Sequence, residues 1–175
     1  NLKIINNQIK QIENLVNEFS DFARMPKPIL KNNDLISLLN DNIVLLSEID
    51  KSIRIDFKKN SNQILFKCDK EQIGRVFFNL IKNSIESIQQ KSENIPNFKK
   101  KILIEILKDN DHIKFILVDN GIGLKNIKGN IKNILNPYFT TKKNGTGLGL
   151  SIVNKIINDH DGELNFYSIT EGAKV

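Results

Sequence analysis

The first 25 residues carry a seven-residue apolar repeat that constrains the fold more than any other feature of the chain. Apolar side chains recur in alternating steps of three and four, at Leu2, Ile5, Ile9, Ile12, Val16, Phe19 and Ala23. This is the seam of a coiled coil or helix bundle. A single helix cannot bury such a seam, so it must pack against another helix, a second copy of the chain or the following domain. We favour a bundle helix over an ordinary amphipathic helix lying on its own domain.

Two prolines end this pattern and mark the domain boundary. Pro26 and Pro28 cannot continue a helix, so residues 25–28 are predicted to form a stiff linker. We therefore expect a bundle helix over residues 1–25 and a second domain over residues 26–175. The chain begins with Asn and ends in mid-pattern, so we expect it to be a piece of a longer protein.

Composition excludes several kinds of protein. The 175 residues are 39 % hydrophobic and 26 % charged, which is enough for a buried core. One cysteine, Cys68, and two histidines, His112 and His160, argue against a disulfide framework and against zinc or multi-histidine metal centres. No apolar run approaches the length that spans a bilayer. The net charge of +6 suits an anionic partner, but the lysines are scattered and do not alternate with aromatic residues, which disfavours nucleic-acid binding.

The segment after the linker alternates between helical and strand patterns. Asp34 is a suitable N-cap for a helix that ends near Glu48. The other predicted elements are strands at 53–57 and 64–67, a helix at 70–90, strands at 101–107 and 113–118, a loop at 120–146, a helix at 148–158 and a strand at 164–168. This order predicts an α/β sandwich with a mixed, largely antiparallel sheet and helices on one face.

The first chemical motif is a pair of asparagines in the long central helix. Asn79 and Asn83 are four residues apart, with Lys82 between them, so the two amides share one helical face. Neutral amide oxygens suit Mg²⁺ when phosphates supply the negative charge. The alternative is a pair of surface asparagines in an asparagine-rich chain.

The second motif is an acid followed by two glycines at the end of an apolar strand. Asp119 could accept a hydrogen bond from an exocyclic amine such as that of adenine, while Gly121 and Gly123 permit positive φ and close approach to a flat ligand. The alternative is an ordinary Asp-Asn-Gly turn.

The third motif is a glycine-rich helix start, Gly145-Thr146-Gly147-Leu148-Gly149-Leu150-Ser151. Backbone amides at such a helix N-terminus form an anion site. The spacing is neither that of a P-loop nor that of a dinucleotide-binding fingerprint. Lys142 and Lys143, just upstream, could reach a phosphate. The alternatives are a glycine hinge and solvated lysines.

Taken in order, the three motifs resemble the N, G1 and G2 boxes of the GHKL ATP-binding superfamily, and specifically those of sensor histidine kinases. The resemblance covers residues 26–175. The run Asn136-Pro137-Tyr138-Phe139-Thr140-Thr141-Lys142 resembles the F box of that family, and residues 150–153 and 160–162 resemble the helix and turn after G2. Residues 17–28 further resemble the end of the dimerisation domain of NtrY-type nitrogen-regulation kinases, which implies that the heptad helix is the second helix of a dimeric four-helix bundle.

The resemblance implies a Bergerat fold that binds Mg-ATP between the long helix, the sheet and a mobile lid. Carried over by position, Asp119 holds the adenine amine, Gly121 and Gly123 shape its pocket, and Asn83 ligates Mg²⁺ with Asn79 beside it. The remaining residues of the implied nucleotide site are Lys82, Phe139, Thr140, Thr141, Lys142, Gly145, Thr146, Gly147, Leu148, Gly149 and Leu150. Gly145, Gly147 and Gly149 give amides to the phosphates, and Phe139 belongs to the lid.

The resemblance also implies the reaction and the partners. The γ-phosphoryl group of ATP passes to a histidine and then to an aspartate on the receiver domain of a response regulator. The expected assembly is a homodimer through the N-terminal helix, with no nucleic acid. The expected location is the cytoplasmic part of a sensor kinase anchored in the inner membrane by regions outside this chain.

Four departures from the family pattern accompany the resemblance. Neither His112 nor His160 lies on the heptad helix, so the phosphoacceptor is expected upstream of the chain, and the chain itself contains no catalytic residue. Asn136 and Tyr138 replace the commoner Glu and Phe of the F box. Residues 124–125 follow G1 where proline is frequent. We expect the final strand, after position 172, to be missing or cut.

Three other readings remain open from the residues. Other GHKL proteins carry the same boxes: DNA gyrase B, the mismatch-repair ATPases, Hsp90 and the anti-sigma serine kinases. A second reading is a non-catalytic dimerisation or docking module with a degenerate site, against which the intact Asn83, Asp119 and G2 glycines argue. The third is a basic nucleic-acid binder.

Overall fold

The computed structural model of the chain describes residues 2–110, 112–124, 131–142 and 145–175. The helices are α1 (Leu2–Ala23), α2 (Leu35–Ser47), α3 (Lys70–Ser92) and α4 (Gly149–Asp159), with a 3₁₀ turn at Ile131–Leu135. The strands are β1 (Lys31–Asp34), β2 (Arg54–Lys59), β3 (Leu65–Cys68), β4 (Lys101–Asp109), β5 (His112–Asp119), β6 (Tyr167–Ser168) and β7 (Ala173–Lys174).

Helix α1 confirms the helical prediction for the heptad segment. It has 22 residues and ends at Ala23, just before the two prolines. The predicted seam is largely exposed, from 48 % at Ile9 and Phe19 to 80 % at Leu2. Phe22 and Met25, beside the helix end, pack against the core of the following domain. The bundle partner of this seam stays a prediction.

The main sheet confirms the predicted fold class. Its five strands lie in the order β2-β4-β5-β7-β6, and β2 pairs in parallel with β4 while the other neighbours are antiparallel. In β4, Ile102, Ile104 and Ile106 alternate with more exposed residues and are completely buried. Helices α2 and α4 pack against α3, and α3 packs against β5, so a single apolar core forms between the helices and the sheet.

Helix α3 is the central element of the domain. Its N-cap is Asp69, whose carboxylate accepts the backbone N–H groups of Glu71 and Gln72 at 3.0 Å each. One apolar stripe faces the core and is buried: Ile73, Val76, Phe77, Leu80, Ile81, Ile85 and Ile88. The helix ends two residues beyond the predicted position, at Ser92. The opposite, polar side of its middle turns is therefore the part that can carry chemistry.

The predicted N-cap of α2 is confirmed, and it does more than cap. Asp34 accepts the backbone N–H of Ile36 at 3.1 Å and also that of Ile64, again at 3.1 Å. This second bond joins α2 to the segment before β3. Strand β1, which pairs antiparallel with β3, was not predicted, because its sequence Lys-Asn-Asn-Asp has no apolar alternation.

The C-terminal strands differ from the prediction. Strand β6 covers two residues rather than the whole of 164–168. The strand that we expected to be missing or cut after Gly172 is present as β7, which has two residues and pairs with β5 and β6. Val175 extends this pairing, because its backbone exchanges hydrogen bonds with that of Leu117 at 2.9 and 3.0 Å. The predicted loop at 120–146 contains the 3₁₀ turn.

The linker after α1 is docked on the domain. Ile29 donates its backbone N–H to Asp69 Oδ2 at 2.8 Å, and Gln72 Nε2 donates to the carbonyl of Pro26 at 3.0 Å. The start of α3 therefore holds the linker on both sides of Lys27. Among the described helices, none has the length and apolar character needed to cross a membrane.

Candidate functional site

The three predicted motifs meet around the middle of α3. Asp119, at the end of β5, accepts a hydrogen bond from Ser84 of α3. At the start of α4, Gly149 faces Asn79, whose Oδ1 lies 3.0 Å from the position that a Cβ on this glycine would take. The predicted F-box segment reaches α3 through Lys142, whose Nζ donates to Asn83 Oδ1 at 2.8 Å. Residues far apart in sequence thus converge on one helix.

The carboxylate of Asp119 is the buried charged group of this region, with 5 % of the residue exposed. Burial raises its pKa above the usual range, and hydrogen bonds from the Gly121 and Ala173 backbone and from the Ser84 hydroxyl, with the nearby Lys91 charge, only partly oppose this. The Gly121 N–H lies 2.9 Å from Oδ1 and the Ser84 Oγ 3.1 Å from Oδ2. A desolvated acid held this firmly at a strand end is typical of a binding site.

The two glycines after Asp119 are required by close backbone packing. A Cβ on Gly121 would lie 2.2 Å from Ser87 Oγ and 2.8 Å from the backbone nitrogen of Ile88. Gly123 has φ of +70°, and its Cβ would lie 2.5 Å from the Gly172 carbonyl oxygen. The sequence pattern predicted close approach to a ligand. In the structure, Gly121 packs closely against α3, and Gly123 packs closely against the turn before β7.

The two asparagines have different environments. Asn79 donates from Nδ2 to the carbonyl of Arg75 at 2.8 Å, which fixes its amide against its own helix. Asn83 Oδ1 accepts a hydrogen bond from the ammonium group of Lys142. Lys82, which we included in the site, has its Nζ 3.9 Å from Glu86 Oε1 and 5.8 Å from the Phe78 ring centroid.

The predicted lid segment is described from Ile131 to Lys142. The backbone N–H of Tyr138 donates to the Gly147 carbonyl at 3.0 Å, which ties the segment to the start of α4. Thr140 Oγ1 accepts the backbone N–H of Lys142 at 3.1 Å. Phe139 is partly buried, while Thr140 and Thr141 are exposed. Lys143, a candidate phosphate contact, lies outside the described residues.

The glycine-rich motif leads directly into α4. Gly147 has φ of +71°, and a Cβ there would lie 2.4 Å from the Tyr138 carbonyl carbon, so the lid and this loop are in backbone contact. Leu148 precedes the helix without a side-chain capping bond and is completely buried. The first turn of α4 includes Gly149 and Leu150. Its backbone N–H groups therefore have no side-chain acceptor at the capping position, Leu148. Gly145 and Thr146 lie just before this turn and are partly exposed.

Three residues of α3 that we did not predict belong to the same site. Ser84 contacts Asp119, Ser87 Oγ accepts the backbone N–H of Ile122 at 3.1 Å, and Glu86 binds Lys142. Positions 79, 83, 86 and 87 follow the three-and-four spacing of one helical face. This spacing could have identified Glu86 and Ser87 once the asparagine pair was taken as functional.

The described residues contain no metal centre built from protein ligands alone. Across 2–110, 112–124, 131–142 and 145–175, no group of three His, Cys, Asp or Glu side chains is placed to hold a metal ion. A cation at Asn83 would therefore need ligands from a bound anion as well.

Comparisons with known proteins identify the family to which the chain is related. The sequence profile of the family described as "Histidine kinase-, DNA gyrase B-, and HSP90-like ATPase" matches residues 68–175. A sensor histidine kinase NtrY-like protein of Rickettsia bellii is 33 % identical over 174 residues, which are 99 % of this chain and 27 % of that protein. Sporulation kinase E of Bacillus subtilis is 32 % identical, over 92 % of this chain and 21 % of that protein.

Solved structures show the same fold. The catalytic domain of histidine kinase ThkA, in a nucleotide-free form, matches with a TM-score of 0.71 and 26 % identity, over 83 % of this chain and 91 % of that chain. ThkA in complex with the response regulator TrrA matches with a TM-score of 0.73 and 24 % identity, over 98 % of this chain and 47 % of that chain, which supports the fold alone. The chain spans about a quarter of the length of the curated relatives it matches. It belongs to the histidine kinase-, DNA gyrase B- and HSP90-like ATPase family, as a domain of the sensor histidine kinase type.

Proposed function

We propose that this chain binds Mg-ATP and acts as the ATP-binding catalytic domain of a two-component sensor histidine kinase. The observation that carries the proposal is the buried carboxylate of Asp119, held at the end of β5 beside two close-packed glycines and bonded to α3, the helix that the α4 N-terminus also contacts. An acid and a helix N-terminus, both joined to the same stretch of α3, match the two ends of an adenine nucleotide.

Asp119 is the proposed adenine contact. Its two oxygens accept bonds from Gly121 and Ser84, and a carboxylate offers about four acceptor positions. It therefore keeps the capacity to accept the exocyclic amine of adenine. Guanine has a carbonyl at the corresponding position, which an ionised carboxylate would repel, so the proposal includes selectivity for adenine.

The phosphate end is assigned to the glycine-rich turn. Gly145, Gly147 and Gly149 let this turn pack closely against the lid segment and α3, and the first turn of α4 adds the positive end of a helix dipole. We assign the backbone amides of Thr146, Leu148 and Leu150 to the same function. We assign the lid segment, with Phe139, Thr140, Thr141 and Lys142, to covering this end.

The donor set fits Mg²⁺ bound together with the phosphates. Asn83 supplies a neutral amide oxygen on the exposed face of α3, and Asn79 lies one turn before it, beside Gly149. Such a site needs phosphate oxygens to complete it, as a substrate-dependent Mg²⁺ site does. When bound, Mg²⁺ neutralises phosphate charge during phosphoryl transfer.

The proposed reaction transfers the γ-phosphoryl group of ATP to an imidazole nitrogen. The bond from phosphorus to the β,γ-bridging oxygen breaks, a phosphorus–nitrogen bond forms, and ADP leaves. This chain binds and orients the nucleotide, and the acceptor histidine belongs to a segment outside it. The phosphoryl group then passes to an aspartate on the receiver domain of a response regulator.

The positions of the two histidines of the chain are consistent with an acceptor histidine outside it. His160 accepts the backbone N–H of Asp69 through Nε2 at 3.0 Å, and its Nδ1 lies 2.8 Å from the Ile156 carbonyl. Both ring nitrogens are therefore engaged, as a neutral tautomer with the proton on Nδ1, and the ring joins α4 to α3. His112 opens β5 in an exposed hairpin. Neither histidine lies on the predicted bundle helix.

Calorimetric titration with a non-hydrolysable ATP analogue, with and without Mg²⁺, tests the proposal. We expect Mg²⁺-dependent binding to the chain and at least about tenfold weaker binding to Asp119→Asn. Asp56→Asn, which alters an aspartate of β2 paired with Arg54 and Lys101, is the matched control and should bind like the wild type. A folded chain that does not bind the analogue at millimolar concentration would be a docking module instead.

A further inference from the structure

The lid lysine binds two oxygen atoms of α3 at once. Lys142 Nζ donates to Asn83 Oδ1 at 2.8 Å and to the carboxylate of Glu86. The side chains of Lys142 and Glu86 are each 36 % exposed, so this pair is partly shielded from water. A partly shielded ion pair with a hydrogen bond to a third group is stronger than a surface ion pair.

This contact places a positive charge on the proposed metal ligand. An ammonium group is a cation, and it already occupies the Oδ1 of Asn83. A second cation on the same oxygen would be repelled by it. Lys82 lies 3.9 Å from the other oxygen of Glu86, so this carboxylate faces two lysines and offsets part of the positive charge on this face of α3.

Lys142 is mechanically joined to the rest of the lid. The Gly145 N–H donates to its carbonyl at 3.3 Å, and its own N–H donates to Thr140 Oγ1. Further along, Tyr138 is bonded to Gly147. A contact that fixes the lysine ammonium therefore fixes the backbone of residues 138–142 against α3.

We propose that Glu86 is a positioning residue that holds Lys142 over Asn83, so that the pair forms a latch closing residues 138–142 on α3 when no nucleotide is bound. This inference rests on the proposed function. Mg-ATP binding requires Lys142 to leave Asn83, and the latch opens as the metal ligand becomes free. Glu86 thus couples the position of the lid to the availability of the metal ligand.

Amide hydrogen exchange of the nucleotide-free chain tests the closed latch directly. The reporters are the backbone amides of Tyr138, Phe139 and Lys142. In Lys142→Met and in Glu86→Gln we expect these amides to exchange at least about tenfold faster than in the wild type, and the double variant to exchange no faster than either. Lys155→Met, which removes an ion pair with Asp159 on α4, is the matched control and should leave lid exchange unchanged. Wild-type exchange in both single variants would overturn the latch.

A second arm of the experiment tests whether Lys142 leaves Asn83 and Glu86 when nucleotide binds. With saturating Mg²⁺ and AMP-PNP, the lid of Glu86→Gln should exchange like that of the wild type, because Lys142 no longer needs Glu86. A persistent tenfold difference would show that the pair survives nucleotide binding, and it would overturn the release. If AMP-PNP does not bind to the wild type at all, the proposed function and the release both fail, while the nucleotide-free arm still decides whether the latch exists.

Discussion

At the scale of single residues, the buried carboxylate of Asp119 combines an unfavourable environment for its charge with a role in the proposed site. Its burial raises the pKa, which means that the folded state disfavours the charged form relative to the unfolded chain. The hydrogen bonds from Gly121 and Ser84 recover only part of this cost. A purely structural position at the end of β5 would be served better by a neutral residue.

We therefore expect Asp119→Asn to leave the stability of the chain unchanged or to raise it. At neutral pH the charge is disfavoured in the folded state, and the amide removes the charge while keeping one acceptor oxygen for the Gly121 N–H. Thermal unfolding should give a midpoint within about 5 °C of the wild type or above it. A larger drop would mean that the carboxylate is mainly structural.

Nucleotide binding should weaken at acid pH because Asp119, the proposed adenine contact, accepts an amine hydrogen bond more strongly when it is ionised. The folded pKa lies above the ordinary value of 3.8, so the loss begins at a higher pH than for a free carboxyl group. Calorimetry between pH 5 and 8 measures this loss of affinity. An AMP analogue is used because its phosphate end is smaller. Asp119→Asn should lack this dependence. An identical acid limb in the variant would assign it to another group.

The pKa of Asp50 is lowered, whereas that of Asp119 is raised, so ionised Asp50 stabilises the folded state. Burial would raise its pKa, but hydrogen bonds from Lys100 at 2.8 Å and from Ser52 outweigh it and hold the pKa at about 2, below the ordinary 3.8. Its stabilisation is therefore complete above pH 3.8 and is lost as the pH falls toward 2. We expect Asp50→Asn to lower the free energy of unfolding by about 1–2 kcal/mol at pH 7.

Urea unfolding at pH 7 and at pH 3 measures this effect. The difference between wild type and Asp50→Asn should shrink at pH 3, because the wild-type carboxylate is then losing its charge in the unfolded state and approaching its folded pKa. An equal difference at both values would contradict the assignment of the effect to ionisation.

At the scale of elements, helix α3 organises the domain. Its apolar stripe contributes to the core, its polar face carries Asn79, Asn83 and Glu86, and its N-cap holds the linker. Asp69 accepts three backbone N–H groups, from Ile29, Glu71 and Gln72, and their bonds hold its pKa below the usual range although burial alone would raise it. The same residue therefore starts the helix and anchors the segment that follows α1.

Asp69→Ala should destabilise the domain by about 2 kcal/mol, because it removes both the cap and the linker bond. Chemical denaturation measures this loss. The amide of Ile29 should also lose its protection from hydrogen exchange, which is a local effect that a cap alone would not produce. Asp69→Asn keeps a capping oxygen and should cost less. A loss of stability without any change at Ile29 would separate the linker from the cap.

The element scale also shows why sequence analysis succeeded for some segments and failed for others. The long helices and the β4–β5 hairpin were predicted because periodicity and capping depend on near neighbours in the chain. Strands β1 and β7 have four and two residues, and their sequences show no alternation, because each is defined by the edge with which it pairs. Glu86 was missed because its partner lies 56 residues away.

At the scale of the whole molecule, the apolar seam of α1 is exposed rather than covered by the following domain. Ile12 and Val16 are 60 % and 53 % exposed, whereas Phe22, at the end of the same helix, packs on the core. We propose that this seam pairs with a second copy of the chain. Ile12→Asp should then weaken self-association by about tenfold or more, because it places a charge in the seam.

Sedimentation velocity over a range of concentrations measures that association. Glu13→Gln, which changes an exposed residue next to the seam, is the control and should associate like the wild type. If the wild-type chain sediments as a monomer at every concentration, one helix per chain is insufficient for a stable bundle.

The amino-acid sequence by itself determined the helix and strand pattern, the fold class and the family, because these depend on local periodicity and on motifs of fixed spacing. Only the tertiary structure decided that Gly121 packs on α3, that the linker docks on Asp69 and that Lys142 reaches Glu86. Each of these contacts joins segments that are distant in the chain, so its geometry follows from how the helices and the sheet pack together. The sequence proposed the candidate site residues, and the packing determined which of them are in contact.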